Sequence, residues 1–257
     1  MGSLSRIWAV ASNTFRETIR ERVLYNLVFF AILMTLSGLL LARLSIRQDE
    51  KIIKDLGLAA MDLFGAAIAI FIGVGLVSKE IERRSLYPLL AKPLSRGELL
   101  LGKAAGLAWT LLVNVAVMTI GLYATLMITG RSFDPSLLKA VYGIYLSLLL
   151  VLALALLFST LTSSAVASVC TLGLVIAGRF SDVIRNMNEV TSGVPSGVTE
   201  FLYWLLPNFR SMDFKTAVVY NLPVTFDVLG LVTLYTAAYA GVVLLLALGA
   251  IRARDFQ

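Results

Sequence analysis

Long apolar stretches separated by short polar segments dominate the chain. A membrane-spanning helix needs about 20 mostly apolar residues to cross about 30 Å of hydrocarbon. Six stretches meet or approach that length: Val23–Ala42, Leu56–Val77, Ala104–Ile128, Val141–Leu161, Ala165–Gly178 and Val228–Ile251. The fifth is short, and we expect it to begin within residues 162–164 and to run past Arg179, whose head reaches the interface. The pattern predicts an all-α polytopic membrane protein with six transmembrane helices, forming one domain over residues 1–257.

The segment ahead of the first span carries apolar residues at steps of three and four. They form one helical stripe of Leu4, Ile7, Trp8, Ala11, Phe15, Ile19 and Val23, with Arg and Glu side chains on the other face. A helix with a Trp/Phe/Leu face and an Arg-bearing face is typical of the membrane interface. We therefore predict an interfacial amphipathic helix over residues 1–22. It is either a simple anchor or a connecting helix that packs against a cytoplasmic partner.

The composition supports a membrane protein and excludes most catalytic chemistry. Hydrophobic residues make up 58% of the 257 residues, charged residues 15%, and the mean hydropathy is +0.86, against about 45–50% and about 25% in soluble domains. The chain has no histidine and one cysteine, Cys170. Triads that use His, HExxH zinc sites and Cys/His clusters are therefore excluded. We predict no catalytic residue, metal site or cofactor in this chain.

The charge distribution predicts the topology. The net charge is +6, and segments 1–22, 78–103, 162–164 and 252–257 carry 12 Lys and Arg, against 10 in the longer segments on the opposite side. The positive-inside rule then places both termini in the cytoplasm. Excess basic residues in such a protein serve topology and anionic lipid headgroups. Because no basic block is interleaved with aromatic residues, we expect no nucleic-acid partner.

The longest cytoplasmic loop, residues 78–103, has its own pattern. Residues Ser78–Leu90 predict a short amphipathic helix, which Pro88 and Pro93 limit because proline lacks an amide donor and disfavours helix before it. Ser95 and Glu98 form a capping-box pattern that would start the helix of the third span. The loop is therefore predicted to be helix, hinge and helix.

The longest outer segment, residues 179–227, contains a six-residue apolar run from Phe201 to Leu206 that ends at Pro207. The run is too short to span a membrane and is rich in interfacial aromatics. It either packs in the outer interface or forms an exit gate, for which Phe201, Tyr203 and Trp204 are the candidates. Asp134-Pro135 predicts an N-cap and first helical residue for the fourth span, and Asp227 a cap for the sixth.

A few polar and small residues lie inside the spans. Asp62 lies near the outer end of the second span, where it is either hydrated or paired with Arg43, Arg47 or Lys54. Asn114 is predicted to bond to a neighbouring helix, and glycines at 65, 73 and 75 to allow close helix packing. The spans hold no chain of Asp, Glu or Lys, which argues against an ion-coupled secondary transporter.

With these elements placed, the chain resembles a permease subunit of an ATP-binding cassette transporter, of the ABC-2 type with the type V exporter fold. The resemblance rests on an ordered motif over about 25 residues, which reads Glu80-Ile81-Glu82, Leu89-Leu90, Pro93-Leu94-Ser95-Arg96 and Leu100-Leu101-Gly102-Lys103. Arg84-Ser85 stands where many members carry Gly-Thr.

The resemblance implies a division of labour. The chain has no phosphate-loop motif, so a separate cassette ATPase would bind ATP and Mg²⁺, and a second permease subunit, most simply another copy, would complete the pore. The helix after the second span would be the coupling helix on the ATPase. The implied coupling residues are Glu80, Glu82, Arg83, Arg84, Leu86, Tyr87, Leu89, Pro93, Arg96 and Lys103. The implied location is the bacterial cytoplasmic (inner) membrane, with membrane lipid as a neighbour and an extracytoplasmic partner possible.

The spans are lined by Leu, Ala, Val and Gly, which suits a hydrophobic or amphiphilic substrate, although bundle packing explains the same composition. Three other classes remain as alternatives. One is a permease-like subunit that transmits ATP-driven work to a lipid or an extracytoplasmic partner. The second is a channel or secondary transporter. The third, an intramembrane protease, is disfavoured because it would need a His partner or a second membrane Asp.

Overall fold

The computed structural model describes residues 3–20, 49–82, 95–130, 133–181, 197, 200, 203 and 206–253. Within these ranges the chain forms helices and connecting turns and no strand. The helices are α1 (Ser3–Arg20), α2 (Asp49–Glu82), α3 (Arg96–Ile128), α4 (Leu137–Leu161), α5 (Ser164–Arg179), α6 (Lys215–Val219) and α7 (Phe226–Ala253), with a 3₁₀ turn at Phe209–Met212.

Four of these helices, α2, α3, α4 and α7, are long and apolar enough to cross a membrane. The predicted first span, Val23–Ala42, lies outside the described residues. Helix α5 is apolar but has only 16 residues, or roughly 24 Å at about 1.5 Å per residue. It begins at Ser164 as predicted, but it ends at Arg179 and does not run past it.

Side-chain contacts define two ends of the bundle. At one end, Lys54 near the start of α2 bonds to Asp134 in the turn before α4, and Lys139 in α4 donates to the carbonyl of Val224 ahead of α7. We call this the Asp134 end. At the opposite end, which we call the Ser95 end, Gly97 at the start of α3 lies against Leu248 near the end of α7. The chain therefore enters α2, α4 and α7 at the Asp134 end and leaves them at the Ser95 end.

Helices α2 and α4 pack closely along their length. Gly73 faces Ala155 so closely that a side chain at Gly73 would overlap α4, and a side chain at Gly65 would require the end of the Leu148 side chain to shift. These two glycines act as predicted, because small residues let helices approach. Among the described residues no heavy atom lies within 4 Å of where a Gly75 side chain would be, so a packing role for Gly75 stays a prediction.

Helix α1 packs against the first turns of α3, at the Ser95 end. Gly102 and Gly106 of α3 face Val10 and the backbone carbonyls of Ile7 and Ala11. The face of α1 that is buried there carries the small and polar side chains of Ala11, Thr14 and Thr18, whereas Leu4 and Trp8 of the predicted apolar stripe are exposed. The amphipathic helix is therefore present, and its exposed apolar residues remain available for the predicted membrane interface.

The helix starts follow local signals to different degrees. At α3 the capping box is complete, since the Ser95 hydroxyl accepts from the Glu98 amide and the Glu98 carboxylate accepts from the Ser95 amide. Asp134 accepts from the amide of Ser136, as a cap does, although α4 begins only at Leu137. The prediction that Asp227 caps the sixth span was wrong, because α7 begins at Phe226 and Asp227 lies in its first turn.

Candidate functional site

The buried carboxylate of Asp62 is the centre of a polar cluster inside the bundle. Asp62 is only 5% exposed. Its Oδ1 and Oδ2 accept from the two terminal nitrogens of Arg179 at 2.8 and 2.9 Å, and Oδ2 also accepts from Nζ of Lys215 at 2.7 Å. A buried carboxylate with a bidentate arginine and a lysine is fully paired, and its charge is balanced locally.

The partners of Asp62 differ from those expected. Of the three predicted, Lys54 instead bonds to Asp134 and Glu50, at 2.7 Å each, while Arg43 and Arg47 lie outside the described residues. Arg179 was expected to extend to the interface, but it points back to Asp62 because α5 ends beside α2. Lys215 is the first residue of α6, and only folding of the outer segment into the bundle places it near residue 62.

The outer segment reaches Asp62 because two glycines admit its backbone. Gly143 of α4 lies against the carbonyl of Met212 and the ring of Phe214, and Gly178 of α5 lies against the carbonyl of Pro207 and the ring of Phe209. A side chain at either glycine would overlap these groups. Residues 206–219 therefore pack into the Asp134 end of the bundle.

The same end of the bundle contains a cavity of about 510 Å³. Its charged lining comes from Asp62, Arg179, Arg210, Asp213 and Lys215. Its other walls are Ile144, Ser147, Phe209, Met212 and Thr216. Among the described residues, the lining thus combines three cationic and two anionic side chains with apolar and aromatic surface, as is typical of ligand pockets.

Of the three candidates for an outer gate, the structure describes only Tyr203, and Phe201 and Trp204 lie outside the described residues. Tyr203 is half-buried, and its hydroxyl accepts from Nδ2 of Asn208 at 3.3 Å. The backbone amide of Asn208 donates to the hydroxyl of Tyr235 in α7 at 3.0 Å. Tyr203 is thus linked through Asn208 to a long helix, and its role as a gate stays a prediction.

A further ion pair lies at the Asp134 end, where Lys54 is buried and Asp134 is half-buried. Lys54 and Asp134 meet at 2.7 Å, and Asp134 also accepts from the amide and hydroxyl of Ser136. Partial burial disfavours the charged form of Asp134 and by itself would raise its pKa. The hydrogen bonds from Lys54 and Ser136 and the positive charge of Lys54 outweigh that effect, so the pKa of Asp134 lies below its ordinary value. This pair ties α2 to the connection between α3 and α4.

At the Ser95 end, the structure describes only part of the predicted coupling region. The backbones of Glu80, Glu82 and Arg96 lie in the terminal turns of α2 and α3. The other predicted contacts within the loop lie outside the described residues, namely Arg83, Arg84, Leu86, Tyr87, Leu89 and Pro93.

Lys103, the last predicted coupling residue, is only 5% exposed and lies within the field of the Glu17 carboxylate of α1. Nearby, Arg6 of α1 forms a 3.6 Å ion pair with Glu98 of the capping box. Lys103 therefore lies beneath α1, and its role as a coupling residue stays a prediction.

Asn114, the other polar residue singled out in a span, is 3% exposed. Neither its amide oxygen nor its amide nitrogen has a hydrogen-bond partner among the described residues, so the predicted bond to a neighbouring helix is not seen there. The described residues also contain no group of three or more Cys, Asp and Glu side chains that could hold a metal ion.

Sequence reasoning missed Arg179 and Lys215 as partners of Asp62. The available signal was composition, since a carboxylate inside an apolar stretch needs a cation and both residues flank apolar segments. That signal does not choose among several basic residues. The choice of Arg179 and Lys215 depends on the fold of residues 206–219, and that fold depends on contacts between segments far apart in the chain.

Comparison with known proteins identifies the chain at the level of family. The family model described as "ABC-2 family transporter protein" matches residues 8–251, and so covers nearly the whole chain. A search of curated proteins gave no match.

Proposed function

The chain belongs to the ABC-2 family of transporter proteins, and we propose that it is the permease subunit of an ATP-binding cassette exporter. In this proposal it pairs with a second copy of itself and with a separate cassette ATPase that binds ATP and Mg²⁺. The cargo is a hydrophobic or amphiphilic molecule, and the complex lies in the bacterial inner membrane. The family match is the observation that carries the proposal.

The lengths of α2 and α3 support a protruding coupling region. They have 34 and 33 residues, so each is roughly 50 Å long, against about 30 Å of hydrocarbon. At the Asp134 end the turn between α3 and α4 is short and tied to Lys54. Most of the excess length therefore extends beyond the bilayer at the Ser95 end, which is the cytoplasmic end in this proposal.

The described part of the region is also stiff. The capping box satisfies orphan amides at the start of α3, and α1 is packed against the same turns through Gly102 and Gly106. A force on the loop between α2 and α3 would thus be transmitted to α1 and α3 together. Rigid-body movement of packed helices is a common means of switching between two states.

The orientation has independent support. Helix α1 and the last turns of α7 both lie at the Ser95 end, so the described N-terminal and C-terminal helices share one side with the 83–94 segment. The charge count assigns that side to the cytoplasm. A cytoplasmic ATPase would then meet the predicted coupling residues, with Glu80 and Glu82 as charged contacts.

Gentle-detergent purification of the tagged chain tests the proposal. We expect a cassette ATPase to co-purify in equal amount, and the double variant Glu80→Ala/Glu82→Ala to lose it or to hydrolyse ATP without transport. Asp55→Ala, an exposed carboxylate at the opposite end of α2, is the matched control and should retain the ATPase. Purification without any cassette ATPase, or full transport by the double variant, would refute the coupling assignment.

A further inference from the structure

One wall of the cavity at the Asp134 end is a short segment that follows the main helices of the bundle. Helices α2, α4 and α5 contribute Asp62, Ser147 and Arg179 to the lining, whereas most of the described lining residues come from the segment 209–216. That segment contains the 3₁₀ turn and the start of the five-residue helix α6. Movement of α6 would therefore change access to the cavity.

A side-chain bond ties the start of α6 to the buried carboxylate of α2. Nζ of Lys215 donates to Oδ2 of Asp62 at 2.7 Å. Arg179 holds the same carboxylate through two bonds, at 2.8 and 2.9 Å. A bidentate arginine pair is more specific in geometry than a lysine contact, and its rigid fork is already organised for two bonds. Of these two cations, Lys215 is therefore the one that leaves Asp62 more easily.

Lys215 has a second carboxylate within its own segment. Its Nζ lies 3.6 Å from Oδ2 of Asp213, and its backbone amide donates to Oδ1 of Asp213 at 3.1 Å, which keeps that carboxylate at the start of α6. A lysine that leaves Asp62 thus retains Asp213, while Asp62 retains both bonds from Arg179. The exchange avoids the large cost of leaving a buried charge without a partner.

The connection that follows α6 suits a small movement. Residues 220–223 are exposed, and Asn221 adopts the left-handed backbone conformation with φ of 56°, which asparagine tolerates better than most residues. Short segments with exposed connections open locally at lower cost than long packed helices. Val218 and Val219 of α6 are buried, so the closed arrangement is the resting one.

We propose that Lys215 is a releasable latch on the cavity. By exchanging Asp62 for Asp213, it lets α6 move away from α2 and admits molecules to the cavity from the Asp134 end. The latch is independent of the proposed function, since it requires neither an ATPase nor a second copy. Removing the cation of Lys215 favours the open state, whereas removing the charge of Asp213 favours the closed state, because Lys215 then loses the carboxylate to which it moves.

Cysteine labelling of the full chain in a neutral detergent tests the latch. In a Cys170→Ser background, Ser147→Cys places a thiol in the cavity wall, and Ser159→Cys is the matched control. Both serines are buried in α4, and each hydroxyl donates to the carbonyl three residues earlier. Ser147 lines the cavity, and Ser159 is not among its described lining residues. The rate of reaction with a water-soluble maleimide reports how often each site opens.

Variants of the latch should change the labelling rate at residue 147 in opposite directions. Lys215→Met should raise it about tenfold, the effect of losing one charge-assisted hydrogen bond, whereas Lys215→Arg retains a cation and should stay near the parent rate. Asp213→Asn should lower it, and this variant removes only the charge, because asparagine still accepts from the Lys215 amide. Asp55→Asn, at an exposed carboxylate of α2, should leave the rate unchanged.

Three results would overturn the latch. The first is an unchanged rate in Lys215→Met, and the second is a rate in Asp213→Asn that is not below the parent rate. The third is equal acceleration at residues 147 and 159 in Lys215→Met, because the whole bundle would then have loosened.

Discussion

At the Asp134 end, charged side chains from segments far apart in the chain meet in ion pairs, and Asp62 joins α2 to both Arg179 and Lys215. At the Ser95 end, the described contacts depend mainly on close backbone packing, with α1 seated on Gly102 and Gly106 of α3. The first arrangement encloses a polar cavity, and the second joins two helices into one unit. The contrast suits a transporter in which one end handles cargo and the other receives force.

The sharpest way to break the comparison is to remove the central carboxylate with Asp62→Ala. Three charge-assisted hydrogen bonds to Asp62 would be lost, although the side chain of Arg179 is 38% exposed and Lys215 keeps Asp213 nearby. We expect a loss of about 3 kcal/mol in the free energy of unfolding, near the upper end of the cost of losing hydrogen bonds to a charged group. Denaturant unfolding of the purified chain in mixed micelles measures it.

A charge-free replacement separates loss of pairing from loss of packing. The triple variant Asp62→Leu/Arg179→Met/Lys215→Met should recover most of the lost stability, because apolar residues often replace a buried ion pair at little cost. Asp55→Ala should change the free energy of unfolding by no more than about 0.5 kcal/mol, as is usual at exposed sites. A triple variant as unstable as Asp62→Ala would show that the pairing is not the cause.

The packing at the other end is tested by Gly106→Leu. A leucine there would overlap the backbone of Ala11, so we expect α1 to be displaced and the chain to lose about 2 kcal/mol, within the usual cost of overpacking. The displacement can be measured as loss of a cross-link that a short bis-maleimide forms between Arg6→Cys and Glu98→Cys, whose parent side chains form an ion pair, in a Cys170→Ser background.

Gly241→Leu is the matched control, because no described residue lies within 4 Å of where its side chain would begin. It should keep the cross-link and the stability of the parent chain. If Gly106→Leu cross-links as well as Gly241→Leu, then α1 is not held by these glycines.

The two ends also differ in how far the sequence could predict them. The stripe on α1, the capping box at Ser95 and the apolar lengths of α2, α3, α4 and α7 are local patterns, and they predicted the helices well. The stripe did not predict which edge of α1 packs on α3, because Ala11, Thr14 and Thr18 are buried and Trp8 is not. The small residues of both helices decide that contact, and their fit appears only in three dimensions.

The ion pairs could not be predicted for a different reason. Lys54 was one of the cations expected beside Asp62 and Arg179 was not, because spacing along the chain does not rank the basic residues. The choice follows from the short length of α5 and the insertion of residues 206–219, which Gly143 and Gly178 allow. Such contacts link distant segments, and no periodicity in the sequence encodes them.

A smaller effect tests the stiffness of the Ser95 end. Ser95→Ala removes the side chain that caps α3, and loss of such a cap costs about 1 kcal/mol. Ser163→Ala is the control, since Ser163 precedes α5 but its side chain makes no capping bond. Comparing the free energies of unfolding of the two variants isolates the cap. Equal free energies of unfolding in the two variants would show that the capping hydrogen bond of Ser95 adds no stability.

The smallest expected effect is a loss of folding stability at acidic pH, which comes from the Lys54–Asp134 ion pair. The pKa of Asp134 lies below its ordinary value of 3.8 in the folded chain, so the carboxylate binds protons more readily after unfolding. Its contribution to stability is therefore complete above that ordinary value and is lost as the pH falls through the lower folded value. Asp134→Asn should flatten this part of the stability profile below about pH 4, while leaving stability at neutral pH slightly reduced. Asparagine can still accept from the Ser136 amide, and Lys54 retains Glu50.

Unfolding midpoints measured in a nonionic detergent from pH 3 to 7 provide the test, with Asp55→Asn as the exposed control. An acid slope identical in Asp134→Asn and the parent chain would assign that slope to other carboxylates.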